Sequence, residues 1–417
     1  MRPRLGPAAL LSLLAQLRPA LCDIGACAES PAEGACDAAP AAPFVRAVRA
    51  GLTEAPRVRN RDSIPFSHLP WMPEVLGGAR EDFPAVFQYR PAVTGVEAAG
   101  KELGSFITEN LHRFGASVVK GLPVGSTADF SELMHASGLE LRDYVGGVTT
   151  RPLEAPKVTP ASGEGPHVSM EPHNDNPYWP RPMLRLVLFC RQPPRSGGQA
   201  QLTDGRRVLQ QLQREHPNFV ADLKRRKVRY VHFYPDAEAF HGVVINSWQA
   251  AYAAGCNSSA SCDMRKVAEE ALRRDGRGYE WTPTGLRQWE VSDVVKVHPV
   301  TGEETWTSQL TAMHCTVFDN HPEYVDLHRS KEAATSEQCF MQDSMPYHTT
   351  FGDGEEFPIE LLEAVRRAQW AHSVAFDYEL GDVVLIDNYL AMHGRFSFEG
   401  PRELYITLVG GRNEEVL

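Results

Sequence analysis

The sequence predicts a mainly β fold with inserted helices, and two apolar runs support this prediction. Residues 183–190 and 382–387 are rich in aliphatic side chains and are bounded by turn-forming residues, as expected of buried strands. A polar motif, His173–Asp175, precedes the first run, and another, His393–Arg395, follows the second. Because neighbouring strand ends converge in a barrel, we expect the two motifs to meet at one site.

The other elements follow from the spacing of apolar side chains. A helical pattern over residues 103–111 is followed by a strand-like segment over residues 116–121. Helices are also predicted over residues 206–215, 218–226, 264–274 and 359–370, and strands over residues 228–234, 291–297 and 305–311. Helices are therefore inserted between strands along most of the chain.

Length and charge limit both the scaffold and its partners. The chain has 417 residues, of which 42% are hydrophobic, enough for one large core of about 250–300 residues with attached helices. Its formal net charge of −11 argues against a nucleic-acid partner, which requires a basic surface. The densest basic run, Lys224–Lys227, fits the solvated end of a helix.

The N-terminus has the pattern of a secretory signal peptide over residues 1–28. Basic residues are followed by an apolar run, Ala8–Ala15, that is too short to span a bilayer. Residues 29–80, rich in Ala, Pro and Arg, are predicted to be a partly disordered leader and N-terminal extension, and the catalytic domain is predicted over residues 81–417. No later stretch reaches transmembrane length, so we expect a secreted or lumenal protein without a membrane span. A plastid or mitochondrial transit peptide is the alternative.

Two of the eight cysteines support the secretory route. Cys256 and Cys262 bracket a short polar loop that a disulfide can close, and this loop contains a glycosylation sequon at Asn257. The alternative is a pair of free thiols and an unused sequon. A zinc site is a poorer interpretation, because the chain has no Cys-x-x-Cys motif with a matching histidine pair.

Three residues of the two polar motifs form a candidate metal site. A His-x-Asp triplet alone carries little weight, because about one to two His-x-Asp/Glu triplets are expected by chance in a chain of this composition. The triplet His321–Glu323 fits that expectation, whereas His173, Asp175 and His393 all lie beside predicted core strands. Two imidazoles and one carboxylate can hold ferrous iron on one face and leave the other positions open for a co-substrate and oxygen. The sequence therefore indicates an iron-dependent oxygenase.

Other polar residues near these motifs are expected to be structural. Asp387 and Asn388 fit a turn that leads to His393 better than they fit metal ligands. For His167 and His314, the role of a satisfied core or surface histidine is favoured over a place in the cavity.

Short motifs run in order along the chain: Asp143–Gly147, His173–Asp175, Gly197–Gln199, Trp248, Glu280–Trp281, Trp306, Phe351–Gly354 and Gly381–Asn388. Together they resemble the taurine dioxygenase and clavaminate synthase-like family, and most of all its plant-type clavaminate synthase-like proteins. The likeness extends from about Phe83 to Gly410, which is most of the chain.

The resemblance implies a double-stranded β-helix, or jelly-roll, core and an Fe(II)- and 2-oxoglutarate-dependent dioxygenase. It makes His173, Asp175 and His393 the metal ligands and the catalytic centre. Arg402 would bind the distal carboxylate of 2-oxoglutarate through two charge-assisted hydrogen bonds, with Arg395 as the substitute if Arg402 faces solvent. The implied reaction consumes O2 and 2-oxoglutarate, releases succinate and CO2, and hydroxylates a C–H bond of the substrate. Desaturation or ring closure is the alternative outcome.

The sequence departs from the family pattern after Gly197–Gln199, where relatives often have a threonine that binds the co-substrate and this chain has Ala200. Thr203 is a nearby hydroxyl, but an offset of three residues reverses its face on a regular strand. Ser308 is a further candidate to bind co-substrate or substrate. If several such groups fail, the protein is a catalytically degenerate jelly-roll binding protein. A metal-dependent hydrolase is a third possibility, but it leaves Arg402 unexplained.

The resemblance also limits the substrate. It favours a small molecule, namely a small polar metabolite such as an amino-acid derivative. The predicted secretory route leaves hydroxylation of prolyl peptides as a lesser alternative. The identity of the substrate and the oligomeric state do not follow from the sequence.

Overall fold

The part of the chain that the computed structural model describes comprises residues 42–47, 83–92, 94–144, 151–179, 183–237, 246–252, 256, 262–318 and 346–410. The predicted signal peptide over residues 1–28, most of the extension over residues 29–80, and the sequon residue Asn257 lie outside these residues. The assignments made for them therefore stay predictions.

The described residues form strands β1 (Phe44–Arg46), β2 (Ala85–Tyr89), β3 (Ala116–Lys120), β4 (Leu141–Arg142), β5 (Thr159–Pro160), β6 (Met170–His173), β7 (Arg185–Gln192), β8 (Ser196–Gly197), β9 (Ala200–Asp204), β10 (Val228–Pro235), β11 (Gly278–Thr282), β12 (Gly285–Ser292), β13 (Val295–Val297), β14 (Glu304–Trp306), β15 (Tyr347–Phe351), β16 (Ser373–Phe376), β17 (Val383–Asp387), β18 (Ala391–Arg395), β19 (Phe398–Glu399) and β20 (Glu403–Val409).

The helices are α1 (Val96–Phe114), α2 (Thr127–Ala136), α3 (Gly205–Glu215), α4 (Pro217–Arg226), α5 (Trp248–Tyr252), α6 (Met264–Arg274) and α7 (Ile359–Ala371), with a short 3-10 helix at Cys315–Phe318. Polar caps fix several of their starts. Ser126 and Asp129 form a capping box at α2, and the carboxylates of Asp204 and Asp263 cap α3 and α6.

Eight of the strands form a jelly-roll. One antiparallel sheet has the order β17-β7-β20-β5, and a second has the order β16-β9-β18-β6. Along the chain, β5, β7, β17 and β20 enter the first sheet, whereas β6, β9, β16 and β18 enter the second. This exchange of strands between two sheets is the topology of a double-stranded β-helix, which confirms the predicted fold class.

The two sheets pack face to face through an apolar core. Leu186, Leu188 and Ile386 of the first sheet belong to one buried cluster with Leu202 and Phe376 of the second. Because side chains alternate along a strand, the other face of the first sheet presents a separate set of apolar residues.

That other face is covered by helices α1 and α2. Val187 and Phe189 of β7 pack with Leu103 and Ile107 of α1 and with Phe130 of α2. The first sheet is thus buried on both faces, which explains why β7 and β17 are continuous apolar runs rather than alternating ones.

Most predicted elements have the expected type, and α6 coincides with its prediction. The strand predicted over residues 305–311 is wrong beyond Trp306, because the chain turns there and the Oγ of Ser308 accepts a hydrogen bond from the backbone N of Leu310 at 2.8 Å. The strand predicted over residues 291–297 is divided between the end of β12 and β13. At Ser308, local polar bonding outweighed β propensity.

Two features outside the jelly-roll also bear on the predictions. Part of the N-terminal extension is ordered, since β1 pairs antiparallel with β2. A disulfide joins Cys256 and Cys262, whose Cα atoms are 5.8 Å apart, as their spacing predicted. Among the described residues, no helix combines the length and the apolar character that a membrane crossing requires.

Candidate active site

Two adjacent strands bring the three predicted ligands together, and we call His173, Asp175 and His393 the His–Asp–His cluster. Strands β6 and β18 pair with His173 directly opposite His393, and the two ring centroids are 4.4 Å apart. The Oδ1 atom of Asp175 lies 3.6 Å from Nε2 of His173 and 3.9 Å from Nε2 of His393. One ligand atom of each residue lies within 4.8 Å of the others, so a single cation can contact all three.

Gly394 makes this close approach of strands possible. A Cβ at this position would collide with Oε1 of Gln201 and with the carbonyl oxygen of Met170. The pairing of β18 with β6 also shifts register between His393 and Arg395. A residue without a side chain is therefore required directly after the ligand His393, where the sheet is irregular.

The hydrogen bonds of the two imidazoles leave nitrogen lone pairs available. Nδ1 of His173 lies 2.7 Å from the carbonyl oxygen of Glu171, and since a carbonyl only accepts, Nδ1 carries the proton and Nε2 presents its lone pair. Burial and the neighbouring His173 lower the pKa of His393 to about 3. Both rings are thus suited to the neutral form that binds metals.

Asp175 is a buried carboxylate held in its ionised form. Burial alone would raise its pKa, but the neighbouring ring of His173 and the charge of Arg151 lower the pKa of Asp175 well below its usual range. Its Oδ2 atom is buried and accepts no hydrogen bond, and Nη1 of Arg151 lies 3.8 Å away. A buried charge with an unused lone pair fits a metal ligand.

A turn beside the cluster fixes the position of Asp175. The Oδ1 of Asn388 accepts from the backbone N of Asp175, and its Nδ2 donates to the carbonyl oxygen of the same residue, both at 2.9 Å. Nδ2 of Asn174 donates in turn to the carbonyl oxygen of Asn388 at 2.9 Å. Asp387 accepts from the backbone N of Tyr389 at 3.0 Å. Asp387 and Asn388 therefore shape the turn, as predicted.

Two cavities meet at the cluster. The larger, of about 120 Å³, is lined by His173 and Asp175, and the smaller, of about 30 Å³, by His173, His393 and Arg402. Arg151 borders both cavities. The arrangement offers separate spaces for a co-substrate and a substrate on the two sides of the same candidate metal site.

Arg402 lies at the smaller cavity with unused hydrogen-bonding capacity. Its Nε is buried without a hydrogen-bond partner. Burial lowers the pKa of Arg402, and the nearby groups that oppose this effect are Tyr378 and Cys190 rather than a carboxylate. A Cβ at Gly198, which has φ +65°, would lie 2.9 Å from Cγ of Pro194 and 3.0 Å from Cβ of Phe398, so the close packing beside Arg402 requires glycine there. A buried guanidinium of this kind fits an anionic ligand.

Two predicted co-substrate ligands have other roles. Arg395 also lines the smaller cavity, but its guanidinium donates at 2.8 Å to the carbonyl oxygens of Gly165 and Val168, so it fastens a loop. Because Arg402 is buried, no substitute is needed. Thr203 does not line the smaller cavity; its Oγ1 lies 2.6 Å from the Oγ of Ser373. The odd offset from Ala200 reversed its face, and its assignment as a co-substrate ligand is corrected.

The assignment of Ser308 as a ligand of co-substrate or substrate is also corrected, whereas Ala200 lies at the co-substrate cavity, as expected from the sequence. The Oγ of Ser308 is fully buried, 3.1 Å from the Oη of Tyr230, and lines neither cavity. Ala200 lines the smaller cavity, so the wall has no hydroxyl at the position for which the family resemblance implied a threonine.

Three charged residues at the site were missed from the sequence. Arg151 lies 4.4 Å from the ring centroid of Tyr144 and beside Asp175, and Glu171 forms a buried 2.8 Å ion pair with Arg366 of α7. Tyr144 was within a recognised motif. The charged residues Arg151, Glu171 and Arg366 are brought together only by tertiary packing, and no spacing in the sequence indicates them.

A second group of possible ligands lies elsewhere. His314, Cys315 and His348 have ligand atoms within 4.8 Å of one another. Cys315 is disulfide-bonded, however, and Nδ1 of His314 is 3.0 Å from Oγ1 of Thr316. We call this group the His314 cluster; none of its three members lines the two cavities.

Comparisons with known proteins agree with this geometry. The model of the taurine catabolism dioxygenase TauD, TfdA family matches residues 90–408. The dapdiamide synthesis protein DdaC of Enterobacter agglomerans is 25% identical over 304 residues, which cover 73% of this chain and 84% of that protein. A clavaminate synthase-like protein of Arabidopsis thaliana is 22% identical over 358 residues, which cover 85% of this chain and 97% of the relative.

Among solved structures, a taurine dioxygenase from Burkholderia xenovorans is similar, with 16% identity and a TM-score of 0.43 over 82% of this chain and 90% of that one. The family match spans well over half of the chain and includes the His–Asp–His cluster and Arg402. The chain therefore belongs to the TauD/TfdA family, and it is a dioxygenase that uses iron(II), 2-oxoglutarate and O2.

Proposed function

We propose that the protein hydroxylates, or desaturates, a small polar metabolite such as an amino-acid derivative and releases succinate and CO2. The observation that carries this proposal is the position of the His–Asp–His cluster between two cavities, one of which holds the unpaired Nε of Arg402. Both features are needed for a reaction that couples 2-oxoglutarate to a second substrate.

His173, Asp175 and His393 are the residues that would hold iron(II). Two neutral imidazoles and one ionised carboxylate match the ligand preference of this cation, and Asp175 brings one negative charge. Iron bound here, with O2 and 2-oxoglutarate, would supply oxidative decarboxylation of the co-substrate and the oxidant for an unactivated C–H bond. Asn388 contributes by holding the backbone of Asp175 on both sides.

The side chains that line the smaller cavity match the chemical groups of 2-oxoglutarate. Arg402 would bind the distal carboxylate with its planar guanidinium, and His393 lies at the same cavity. Leu188, Leu202 and Ile386 line the walls and would contact the methylene groups. Apolar walls around one buried cation exclude water and strengthen its attraction for a carboxylate.

The larger cavity is left for the primary substrate. Its lining combines apolar side chains with a few polar groups that can fix an orientation, including Asn176 and Gln309. The part of this chain in the reaction is to hold one C–H bond toward the metal site and to exclude water. Hydroxylation is the default outcome, and desaturation or ring closure depends on how the substrate is held.

The test is a screen of candidate metabolites for succinate formation under air, with full-length protein, iron(II), ascorbate and 2-oxoglutarate. We expect a subset of small polar metabolites to raise succinate formation above the level without a substrate. As a control, His173→Ala should remove this response while a substitution at an exposed arginine, Arg214→Gln, leaves it intact. A wild-type protein that binds iron and 2-oxoglutarate but never forms succinate would contradict the proposal.

Ala200 supports a second candidate, a degenerate protein that binds ligands in the jelly-roll without turnover. The co-substrate cavity lacks the hydroxyl that relatives often supply. This candidate predicts binding of 2-oxoglutarate without succinate formation for any metabolite. Arg402 and the complete His–Asp–His cluster favour turnover.

We further propose that the protein enters the secretory pathway. The disulfide between Cys256 and Cys262, and the disulfide bonding of Cys315, suit an oxidising compartment. The N-terminal apolar run and the sequon at Asn257 support the same route. Expression in secretory cells, followed by glycosidase treatment of wild type and Asn257→Gln, tests it: a mass decrease restricted to wild type is expected, and a cytosolic, unmodified product would contradict it.

A further inference from the structure

Arg151 is a buried cation at the site whose role is unassigned. Its side chain is only 7% exposed, and its Nε and Nη1 atoms are buried without hydrogen-bond partners. The closest opposite charge is Asp175, whose Oδ2 lies 3.8 Å from Nη1, beyond hydrogen-bond length. Removing a guanidinium from water without satisfying its donors costs free energy. An anion that accepts hydrogen bonds from Arg151 would offset this cost.

The acidic residues around Arg151 do not supply this anion. Asp175 belongs to the candidate metal site, where a cation would share its charge. Glu171 lines the larger cavity but is already paired with Arg366 at 2.8 Å, and both of those side chains are buried. Glu164 lines the same cavity and has an interaction partner as well.

The guanidinium of Arg151 packs against a side chain that belongs to the larger cavity. It lies 4.4 Å from the ring centroid of Tyr144, which lines only the larger of the two cavities. The smaller cavity already has Arg402 for an anionic group. Of the described residues that line the larger cavity, Arg151 is the sole arginine or lysine.

We propose that Arg151 binds a carboxylate of the primary substrate in the larger cavity. A planar guanidinium with several free N–H donors is the side chain best matched to a carboxylate, and stacking against Tyr144 fixes its plane. The inference rests on the proposed function, since it assigns the larger cavity to the substrate. It defines that substrate as an acid held by its carboxylate beside the metal site.

The other side chains that line the larger cavity indicate the chemical character of the rest of the substrate. Val168, Met170, Met313 and Val317 form an apolar part of the larger cavity, with Tyr347 beside them. Methionine side chains adapt their shape to apolar ligands. The substrate is therefore an amphipathic acid, with a carboxylate at Arg151 and an apolar or aromatic body against these residues.

The experiment uses matched acid and amide probes with the full chain, iron(II) and 2-oxoglutarate without oxygen. N-acetyl-L-phenylalanine, N-acetyl-L-leucine and 4-phenylbutyrate are each compared with the corresponding carboxamide, by the change they cause in the visible charge-transfer band. At least one acid should bind about tenfold or more tightly than its amide. Arg151→Gln should remove this preference, Arg151→Lys should keep part of it, and Arg214→Gln, at an exposed arginine outside both cavities, should keep all of it.

The other possible results distinguish a failure of this inference from a failure of the proposed function. If no acid is preferred over its amide while the band of wild type is normal, the inference is wrong and the proposed function stands. If Arg151→Gln weakens the binding of 2-oxoglutarate instead, the anion that Arg151 binds is the co-substrate carboxylate next to the metal. If Arg151→Gln weakens the binding of iron, Arg151 is a counter-ion of Asp175. Either result overturns the inference. A missing band in folded wild type would instead contradict the proposed function.

Discussion

Two groups of histidines among the described residues are alike in spacing and differ in their third member and in the space around them. The ring centroids are 4.4 Å apart in the pair His173 and His393 and 4.7 Å apart in the pair His314 and His348. The first pair is joined by the ionised Asp175 and lies between two cavities. The second pair is joined by Cys315, whose sulfur is already in a disulfide, and lines neither cavity.

The difference shows what makes a pair of histidines a site. Close imidazoles are common in cores, but a metal needs a third ligand in its deprotonated, unused form and open positions for other ligands. Asp175 meets the first condition because its Oδ2 accepts no hydrogen bond. The two cavities meet the second. The His314 cluster meets neither, so we assign it to the packing of the core.

The largest contrast is expected between Asp175→Ala and His314→Gln. Loss of Asp175 removes one of three ligands, and we expect succinate formation to fall by more than about 100-fold, the upper range for residues that only support a ligand. His314→Gln keeps a polar side chain of similar length and should retain most of the activity. Comparable losses in the two folded variants would remove the distinction between the clusters.

A second contrast concerns the two arginines near the smaller cavity. Arg402→Gln should raise the dissociation constant for 2-oxoglutarate about 100-fold, since it removes a charge-assisted pair of hydrogen bonds. Arg395→Gln should mainly lower the free energy of unfolding, because this side chain binds backbone carbonyls of residues 165 and 168. Titration of 2-oxoglutarate and urea denaturation separate the two effects. A larger affinity loss for Arg395→Gln would exchange their roles.

Asn388 tests the support of the cluster. Asn388→Ala removes two hydrogen bonds to the backbone of Asp175, and we expect iron affinity to decrease about 10- to 100-fold. Asn388→Asp keeps the oxygen that accepts from the backbone N of Asp175, so its iron affinity should decrease less. Competition with an iron chelator measures both. An unchanged affinity in Asn388→Ala would mean that Asp175 is positioned by other contacts.

The His314 cluster predicts an effect of pH on stability rather than on activity. Burial lowers the pKa of His314 well below its ordinary value of 6.5, so below that pH the unfolded chain binds a proton that the folded chain refuses. The free energy of unfolding therefore falls as pH falls through 6.5, by up to about 1.4 kcal/mol per pH unit for this residue. His314→Gln should reduce that slope between pH 6.5 and 5 relative to wild type. Equal slopes in wild type and His314→Gln would contradict the assignment.

The smallest effect is expected at Ala200. Ala200→Thr restores a hydroxyl at the wall of the smaller cavity and should tighten 2-oxoglutarate binding about fivefold, the value of one hydrogen bond. Ala200→Val has the same shape without the hydroxyl and should not tighten it. If both variants bind equally, the hydroxyl is not the missing element.

Much of this architecture was predictable from the sequence because local patterns encode it. Apolar runs gave β7 and β17, and ordered motifs gave the jelly-roll and the three members of the His–Asp–His cluster. Single hydroxyl groups were not predictable, since the role of Ser308 depends on a turn and on Tyr230, far along the chain. Arg151 was missed for the same reason: its environment is assembled from distant segments, and no periodicity in the sequence reports it.

The central claim is that His173, Asp175 and His393 bind one iron ion beside a separate site for 2-oxoglutarate. The most direct measurement is anaerobic titration of the full chain with iron(II) and 2-oxoglutarate, followed by the visible charge-transfer band. We expect a band in wild type that saturates at one iron per chain, persists in His314→Gln and is absent in Asp175→Ala. No band in folded wild type, or an unchanged band in Asp175→Ala, would contradict the claim.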